Sequence, residues 1–445
     1  MHSTETVREA GLWKRGVLWL LFLGPFFFLS YSFANWVSGQ RSDVGVIVFA
    51  WESYIPLLPW TIIPYWSIDL LYGLSFLLPK TRREMDRHAL RLLTVQIICV
   101  ACFLLWPLTI SFVRPELSGV FGGMFDVLMG FDKPFNQAPS LHIALLVVLW
   151  TRYAVYTPPR WQPLLHLWFA LIAVSVLTTW QHHFIDLPTG ALVGFFCLWL
   201  WPTTGASPFS RAQLTTDPQR RRLALYYLLG ASLLTALGVV IGGTALWLLW
   251  PALSLAMVGL NYLLLGAQGF QKRANGQLSI GALGLFAPYV LAAWINSRWW
   301  TRRAPQPVLV TDDVWLGRLP AATDDSAAVA WLDMCAELPV TARAQAYRNF
   351  PVLDLSVPST ALCRAAGQAL EELRQQGPVL VFCALGYSRS ATAVAAWLLL
   401  TKRCATPVEA LEFLRQARPG VVLTAAHLAA LQPLRQASEV SDAGL

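Results

Sequence analysis

Residues 379–390 read V-L-V-F-C-A-L-G-Y-S-R-S. The apolar run, bounded upstream by Gly377-Pro378, has the length and bounds of a buried strand. Gly386 supplies a tight loop, and the residues after it read as a helix. Cys383 and Arg389 enclose five residues, Ala384, Leu385, Gly386, Tyr387 and Ser388. A loop of that size entering a helix turns backbone N–H groups inward and wraps one phosphate-sized anion. The same field favours a thiolate, the nucleophilic form of cysteine. Arg389 is placed to grip two oxygens of the anion, and Ser390 to steady the departing thiolate by a hydrogen bond.

Around this stretch, 306–445 reads as alternating strands and helices. VLVTDDVWLGRLP suggests a strand, and VAWLDMCAEL and NFPVLDLSVP two more. ALCRAAGQALEELRQQG is an amphipathic helix, and SATAVAAWLLLTKR and TPVEALEFLRQAR are helical, the second opened by Thr406 with Pro407 behind it. Such alternation implies an α/β domain of about 140 residues, enough for its own core. The other cysteines there, Cys335, Cys363 and Cys404, read as core.

The chain before it is different. Of 445 residues, 56% are hydrophobic and only 13% charged, against about 25% charged in soluble domains. Residues 1–305 hold 22 Lys/Arg, 12 Asp/Glu and 18 of the 21 Trp; 306–445 hold 11 Lys/Arg and 13 Asp/Glu. Apolar runs of spanning length occur near 17–37, 57–79, 92–113, 141–157, 163–181, 185–202, 223–243, 245–266 and 278–297. The excess of +10 lies in short loops between them, where Lys and Arg orient a membrane protein. A phosphate-tracking surface would need them on one soluble face, so nucleic acid is excluded as a partner. The first run is too long for a signal-peptide core and reads as an uncleaved anchor. The seven Cys show no zinc spacing, and Cys99, Cys102 and Cys197 fall inside apolar runs as small hydrophobes, so no metal or other cofactor is expected.

The N-terminus, 80–91, 152–160 and 211–222 carry the basic excess and go to the cytoplasm, leaving 38–56, 114–140 and 180–186 outside. Three groups of polar residues then meet at the outer face: Arg114 at the end of the third run, Asn136-Gln137-Ala138-Pro139-Ser140-Leu141-His142, and Trp180-Gln181-His182-His183-Phe184-Ile185-Asp186. Ionisable residues so placed are a functional-site hypothesis by default. His182 and Asp186, four apart, share a helix face. One His can attack phosphorus while a carboxylate fixes its tautomer. His142 can protonate a leaving oxygen, and Ser140 and Arg114 can bind phosphate oxygens. His183 reads as an interfacial ring; His88, His166 and His427 have no such context.

PSLH followed by HxxxD resembles the type 2 phosphatidic acid phosphatase superfamily over roughly residues 15–205, which implies a six-helix core and lipid phosphate chemistry. Arg114-Pro115 fits its K-x6-RP motif, but Pro107 stands at the Lys position. Leu141 replaces the Gly of PSGH, and Ser175-Val176 replaces Ser-Arg. Losing two phosphate-binding cations while keeping His142, His182 and Asp186 is similar to the branch containing inositol phosphorylceramide and sphingomyelin synthases. That branch transfers a phospho-headgroup between lipids.

The C-x5-R loop, with WLGRLP, LDMCAELP, LDLSVP, CALGYSRSATAVAAWLL and ARPG, resembles the dual-specificity class of cysteine-dependent phosphatases, most nearly its lipid-directed members. The resemblance implies a phosphocysteine intermediate on Cys383, phosphate held by 384–388 and Arg389, and Asp354 as general acid. Phe382 stands where the class has His, which predicts a less supported thiolate and reduced turnover.

The whole predicts an all-α polytopic membrane domain (1–205, a six-helix phosphatidic acid phosphatase-like core), additional transmembrane helices and linker (206–305), and a soluble α/β dual-specificity phosphatase domain (306–445). It is expected in the inner cell membrane, with the histidine site on the periplasmic face and a phospholipid or lipid phosphate as substrate. Nine crossings would carry the C-terminal domain outside. Arg298, Arg302 and Arg303, with the need to keep a thiolate reduced, favour the cytoplasm, which requires one of the last three runs not to cross. Two alternatives remain: a membrane-anchored protein phosphatase for tyrosine and serine, and a weakly catalytic phosphate-binding module.

Overall fold

The computed structural model describes residues 8–321, 328–340 and 344–442. The chain divides into two compact units: Met1–Ser210 with Gly238–Trp247, and Arg211–Leu237 with Leu248–Leu445. The break at 210/211 lies close to the boundary expected at 205/206, and most of the residues after it cluster with the C-terminal part.

The first unit holds α1 (Leu12–Gly39), α2 (Ile62–Leu74), α3 (Arg82–Leu105), α4 (Gly119–Phe131), α5 (Leu141–Tyr156), α6 (Gln162–Thr178) and α7 (Asp186–Leu200). Thr81 caps α3 by accepting from the Glu84 amide. The helix stops at Leu105, two residues before Pro107, which has no N–H to continue it. Arg114 therefore does not end the third helix; it lies on the irregular segment that follows. α4 forms within a stretch read as an outer loop. α5 and α7 approach closely at Gly190 and Gly194. A Cβ at Gly190 would lie 2.4 Å from the Ser140 carbonyl oxygen, and one at Gly194 2.7 Å from Val147. This is the small-xxx-small contact that lets membrane helices meet backbone to backbone.

The second unit begins with α8 (Pro218–Ile241), whose last turn joins the first unit, and α9 (Leu249–Leu260), continued by a π-helical turn over Asn261–Leu265. α10 (Ile280–Trp300) leads into β1 (Val308–Thr311) and β2 (Val314–Arg318), then β3 (Ala330–Cys335), β4 (Ala346–Val352), α11 (Thr360–Arg374), β5 (Val379–Cys383), α12 (Arg389–Leu400), α13 (Pro407–Ala417) and α14 (Ala425–Asp442). VLVTDDVWLGRLP is thus two strands. Asp312 and Asp313, both at positive φ, form their turn, as tight hairpins prefer. The sheet order is β1-β2-β5-β3-β4, with β1 antiparallel and the rest parallel. One face packs on α11 and α12 around buried Val381, Leu370 and Trp397. The other carries Leu319, Trp331, Leu338, Leu380 and Phe382, against which Val290 and Ala293 of α10 pack.

Among the described residues, six helices are long and apolar enough to cross a membrane: Leu12–Gly39, Arg82–Leu105, Pro159–Thr178, Pro218–Ile241, Gly243–Phe270 and Ile280–Trp300. The runs expected at 57–79, 141–157 and 185–202 contain helices of 13, 16 and 15 residues. α5 and α7 begin where the polar motifs end, since those motifs take the turns that would have lengthened them.

Candidate active sites

In the second unit, Cys383 ends β5 and Arg389 opens α12, so strand and helix fix the two ends of the intervening loop. The Gly386 amide donates to Cys383 Sγ at 3.2 Å and Ser390 Oγ at 3.3 Å. Gly386 has φ 78°, and a Cβ there would meet the Gly317 carbonyl at 2.4 Å, so only glycine fits. The Arg389 guanidinium donates to both oxygens of Glu337 at 2.8 Å and to the Val352 carbonyl at 2.9 Å. It also pairs with Asp354 Oδ1 at 2.9 Å. The structure thus brings together Cys383, Arg389, Asp354 and Ser390.

The remaining loop residues are braced from outside. The Ala384 carbonyl accepts from Ser297 Oγ, the Leu385 carbonyl from Arg418 at 3.4 Å, and the Tyr387 carbonyl from the Val422 amide at 2.9 Å. The Arg418 guanidinium lies 4.9 Å over the Tyr387 ring. Ser388 Oγ lies 3.1 Å from His427 Nε2. His427 Nδ1 accepts from the Thr424 amide at 3.3 Å, so Nε2 carries the proton and donates to Ser388. His427 is therefore no bland residue; its contact with the loop is not visible in sequence spacing.

Two carboxylates face one guanidinium, and their environments pull them apart. Burial opposes the charge on Glu337, but Arg389 outweighs it and holds its pKa below the ordinary glutamate value. For Asp354 burial wins over Arg389, and the Glu337 carboxylate adds to it, so its pKa is raised. The shared guanidinium thus sits between one carboxyl held down and one pushed up. Glu337 sits inside the quoted LDMCAELP, yet sequence reasoning passed over it because nothing in the spacing ties it to Arg389. Cys335, read as core, is buried, with Sγ 3.9 Å from Arg389 Nη1. Phe382 is buried, its ring edge-on to Trp331 at 5.9 Å. The position of the class histidine therefore faces an apolar layer closed by α10.

In the first unit, His182 Nδ1 lies 3.0 Å from Asp186 Oδ2. Because a carboxylate only accepts, Nδ1 carries the proton and Nε2 keeps its lone pair. That Nε2 lies 3.2 Å from Ser140 Oγ, and the Ser140 amide donates to the Asp186 carbonyl at 3.0 Å. His142 stacks on Tyr65 at 4.2 Å; its Nε2 is buried without a hydrogen-bond partner. The two imidazoles lie within electrostatic range of each other. Arg114 donates to the Thr179 carbonyl at 3.1 Å, just before the histidine motif. It lines a cavity of about 340 Å³ with Glu116, Asp126 and Gln181. His183, read as an interfacial ring, is 2% exposed. Its Nε2 accepts from the Ser111 amide at 3.1 Å, which leaves Nδ1 to donate to Glu52 Oε2 at 2.9 Å. It anchors the motif to the 50–54 turn, and Glu52, unremarked in the sequence, is the anchor.

Residues 332–437 match the family model for the dual specificity phosphatase catalytic domain. Similar solved structures include PTPMT1, at 21% identity over 32% of this chain and 100% of that chain, TM-score 0.27. Human DUSP28 follows at 22% over 30% and 99%, TM-score 0.28, and Tk-PTP in its active form at 27% over 30% and 98%, TM-score 0.27. No curated protein matches the chain. The C-terminal region is therefore a dual-specificity phosphatase catalytic domain, and the protein is a phosphatase.

Proposed function

We propose that the protein is an integral-membrane enzyme whose Cys383 site removes the phosphate of a lipid phosphomonoester. The Cys383 thiolate attacks phosphorus, forming the S–P bond as the P–O bond breaks, and Asp354 gives its proton to the departing alkoxide. Water then attacks phosphocysteine, Asp354 takes back a proton, and inorganic phosphate leaves with the thiolate restored. Arg389 holds phosphate oxygens throughout, and Ser390 stabilises the leaving sulfur. One observation carries the lipid reading: the Cys383 site shares a compact unit with most of three helices apolar enough to cross a membrane.

The first unit supports a second phosphoryl-transfer site of the type 2 phosphatidic acid phosphatase kind. His182 is its nucleophile, oriented by Asp186, with His142 as acid and Ser140 and Arg114 as phosphate contacts. The unpartnered, buried Nε2 of His142 favours this reading, since such an atom is costly unless a substrate completes it.

For sidedness, α10 qualifies as a span by composition, yet the domain holds it at both ends. Beside its start, Gln277 donates to the Val340 carbonyl at 2.8 Å, and near its end Arg298 donates to the Leu319 carbonyl at 2.9 Å. A helix lying along the sheet does not cross. With α10 excluded, the nine apolar runs of the sequence give eight crossings, three of them through the shorter α2, α5 and α7, and the phosphatase domain faces the cytoplasm from the inner cell membrane.

The test uses the full chain in nanodiscs with a diacyl phosphatidate and a phosphotyrosyl peptide. Cys383→Ser is expected to cut lipid hydrolysis on the order of 10⁴-fold or more, the scale of losing a covalent nucleophile. Faster wild-type turnover of the peptide than of the lipid replaces this reading with that of a membrane-anchored protein phosphatase.

A further inference from the structure

The general acid sits at the start of an irregular segment between β4 and α11, and two successive carbonyls of that segment are held by the helices before the domain. Tyr262 donates its hydroxyl to the Asp354 carbonyl at 2.8 Å. Gln219 Nε2 donates to the Leu355 carbonyl at 2.7 Å. Leu355 has φ 53°, a region a branched side chain rarely adopts, and its side chain is exposed. Its backbone is thus fixed from outside, not by its own packing.

The two donors are themselves rigid. Tyr262 is 1% exposed and lies on the π-helical turn that ends α9, a distortion that re-aims side chains and recurs at functional sites. Its ring is 5.4 Å from Tyr227 of α8, which lies 5.9 Å from Tyr289 of α10. Glu337 is within electrostatic reach of all three phenols, and Asp354 of Tyr227 and Tyr262. Gln219 is in the first turn of α8, its amide capped by Asp217 at 2.8 Å.

We infer that α8 and α9, two of the apolar helices of this unit, position the general acid: Tyr262 and Gln219 clamp the carbonyls of Asp354 and Leu355 and so set the Asp354 carboxyl against the leaving oxygen. The inference rests on Asp354 being the acid. Its consequence is selective. An alkoxide, the leaving group of a lipid phosphomonoester, needs a proton delivered as the P–O bond breaks, whereas nitrophenolate departs without one. Misplacing the acid by about an ångström therefore slows the first class by up to 10²-fold and spares the second.

The experiment compares kcat and KM of the full chain in nanodiscs on dioctanoyl phosphatidate and on 4-nitrophenyl phosphate. Tyr262→Phe with Gln219→Ala is expected to lower kcat on the alkyl phosphate about thirtyfold with KM changed less than twofold. The aryl phosphate slows less than threefold, and the alkaline fall of the alkyl pH profile flattens. Tyr262→Phe alone, which keeps the ring packing, gives about one-third of that effect on a logarithmic scale. In an Asp354→Asn background the clamp substitutions change alkyl turnover less than twofold. Asn349→Ala removes a different tie, the 2.7 Å bond from Asn349 Nδ2 to the Arg273 carbonyl, and matches wild type on both substrates. Equal slowing of both substrates by the clamp variants, or equal slowing by Asn349→Ala, overturns the inference in favour of a merely structural contact. If Asp354→Asn leaves alkyl turnover intact, the acid assignment falls and the clamp with it. If Asp354→Asn is slow but the clamp variants are not, the clamp alone falls.

Discussion

The histidine cluster and the cysteine loop have similar chemical parts but are assembled in opposite ways. Nearly all of the cysteine site comes from one strand–loop–helix, residues 379–390, with Asp354 and Glu337 added from neighbouring strand ends. The histidine site collects Glu52, Arg114, Ser140, His142, His182 and Asp186 from separate segments and depends on α5 and α7 touching at Gly190 and Gly194. A site built on a local motif is robust to changes in distant packing. A dispersed site is only as precise as the helix contacts that gather it.

The sharpest test of that difference is at Glu337. Glu337→Gln leaves the buried Arg389 charge with Asp354 as its remaining carboxylate. It is expected to destabilise the second unit by about 3 kcal/mol, the range for breaking a buried pair, and to lower phosphatase kcat/KM by roughly 10²-fold. Calorimetry of the full chain should show one transition shifting and the other unmoved; movement of both would mean that the units are energetically one. The wild-type pair also has a pH signature. Because the folded Glu337 pKa is depressed, its stabilisation is fully present above the ordinary carboxyl value of about 4.3 and lost as pH falls through the folded pKa.

Gly190→Ala probes the opposite side. Its Cβ would press on the Ser140 carbonyl, so α5 and α7 must part. On the proposed role of the histidine cluster, its lipid phosphoryl transfer is expected to fall about tenfold while hydrolysis of 4-nitrophenyl phosphate at Cys383 stays within twofold. An equal fall in both would erase the contrast. The smallest effect belongs to His427. Burial lowers its pKa, so the neutral ring persists at pH 6.5 and below until the folded value is reached; protonation at Nδ1 then ends its acceptance from the Thr424 amide, while Nε2–H still reaches Ser388. His427→Gln should cost about threefold in kcat/KM at pH 7.5, with the deficit shrinking in acid as the wild type loses the Thr424 contact that orients the ring.

The same contrast governs what the sequence discloses. Cys383, Gly386, Arg389 and Ser390 were legible because strand, loop and helix carry the chemistry in one reading frame. Their convergence with Asp354 follows from parallel β3, β4 and β5 ending at one edge. Glu337 and His427 were not legible, since each reaches the loop from a separate segment. In the first unit the spacing of His182 and Asp186 pointed to a true pair, but His182 lies in the loop before α7, so the two do not share the helix face that the spacing predicts. The role of His183 was not legible, because its partner Glu52 is 131 residues away. The G190-A-L-V-G194 spacing was a signal of α5–α7 contact that could have been read and was not. The packing of α10 on the sheet was not legible either, because hydropathy measures how apolar a helix is, not what it packs against.

That helix has a consequence for modularity. Phe382, Leu380, Trp331 and Leu319 form a sheet face that α10 finishes, so a cut in the 301–307 segment would separate the catalytic fold from its own wall. The freed piece would expose a contiguous greasy surface of the sort that drives aggregation. Proteolytic shedding, gene fusion or recombinant excision at that seam would yield a sticky fragment in place of a working soluble phosphatase. The transferable cassette starts near residue 211, and it brings its helices with it.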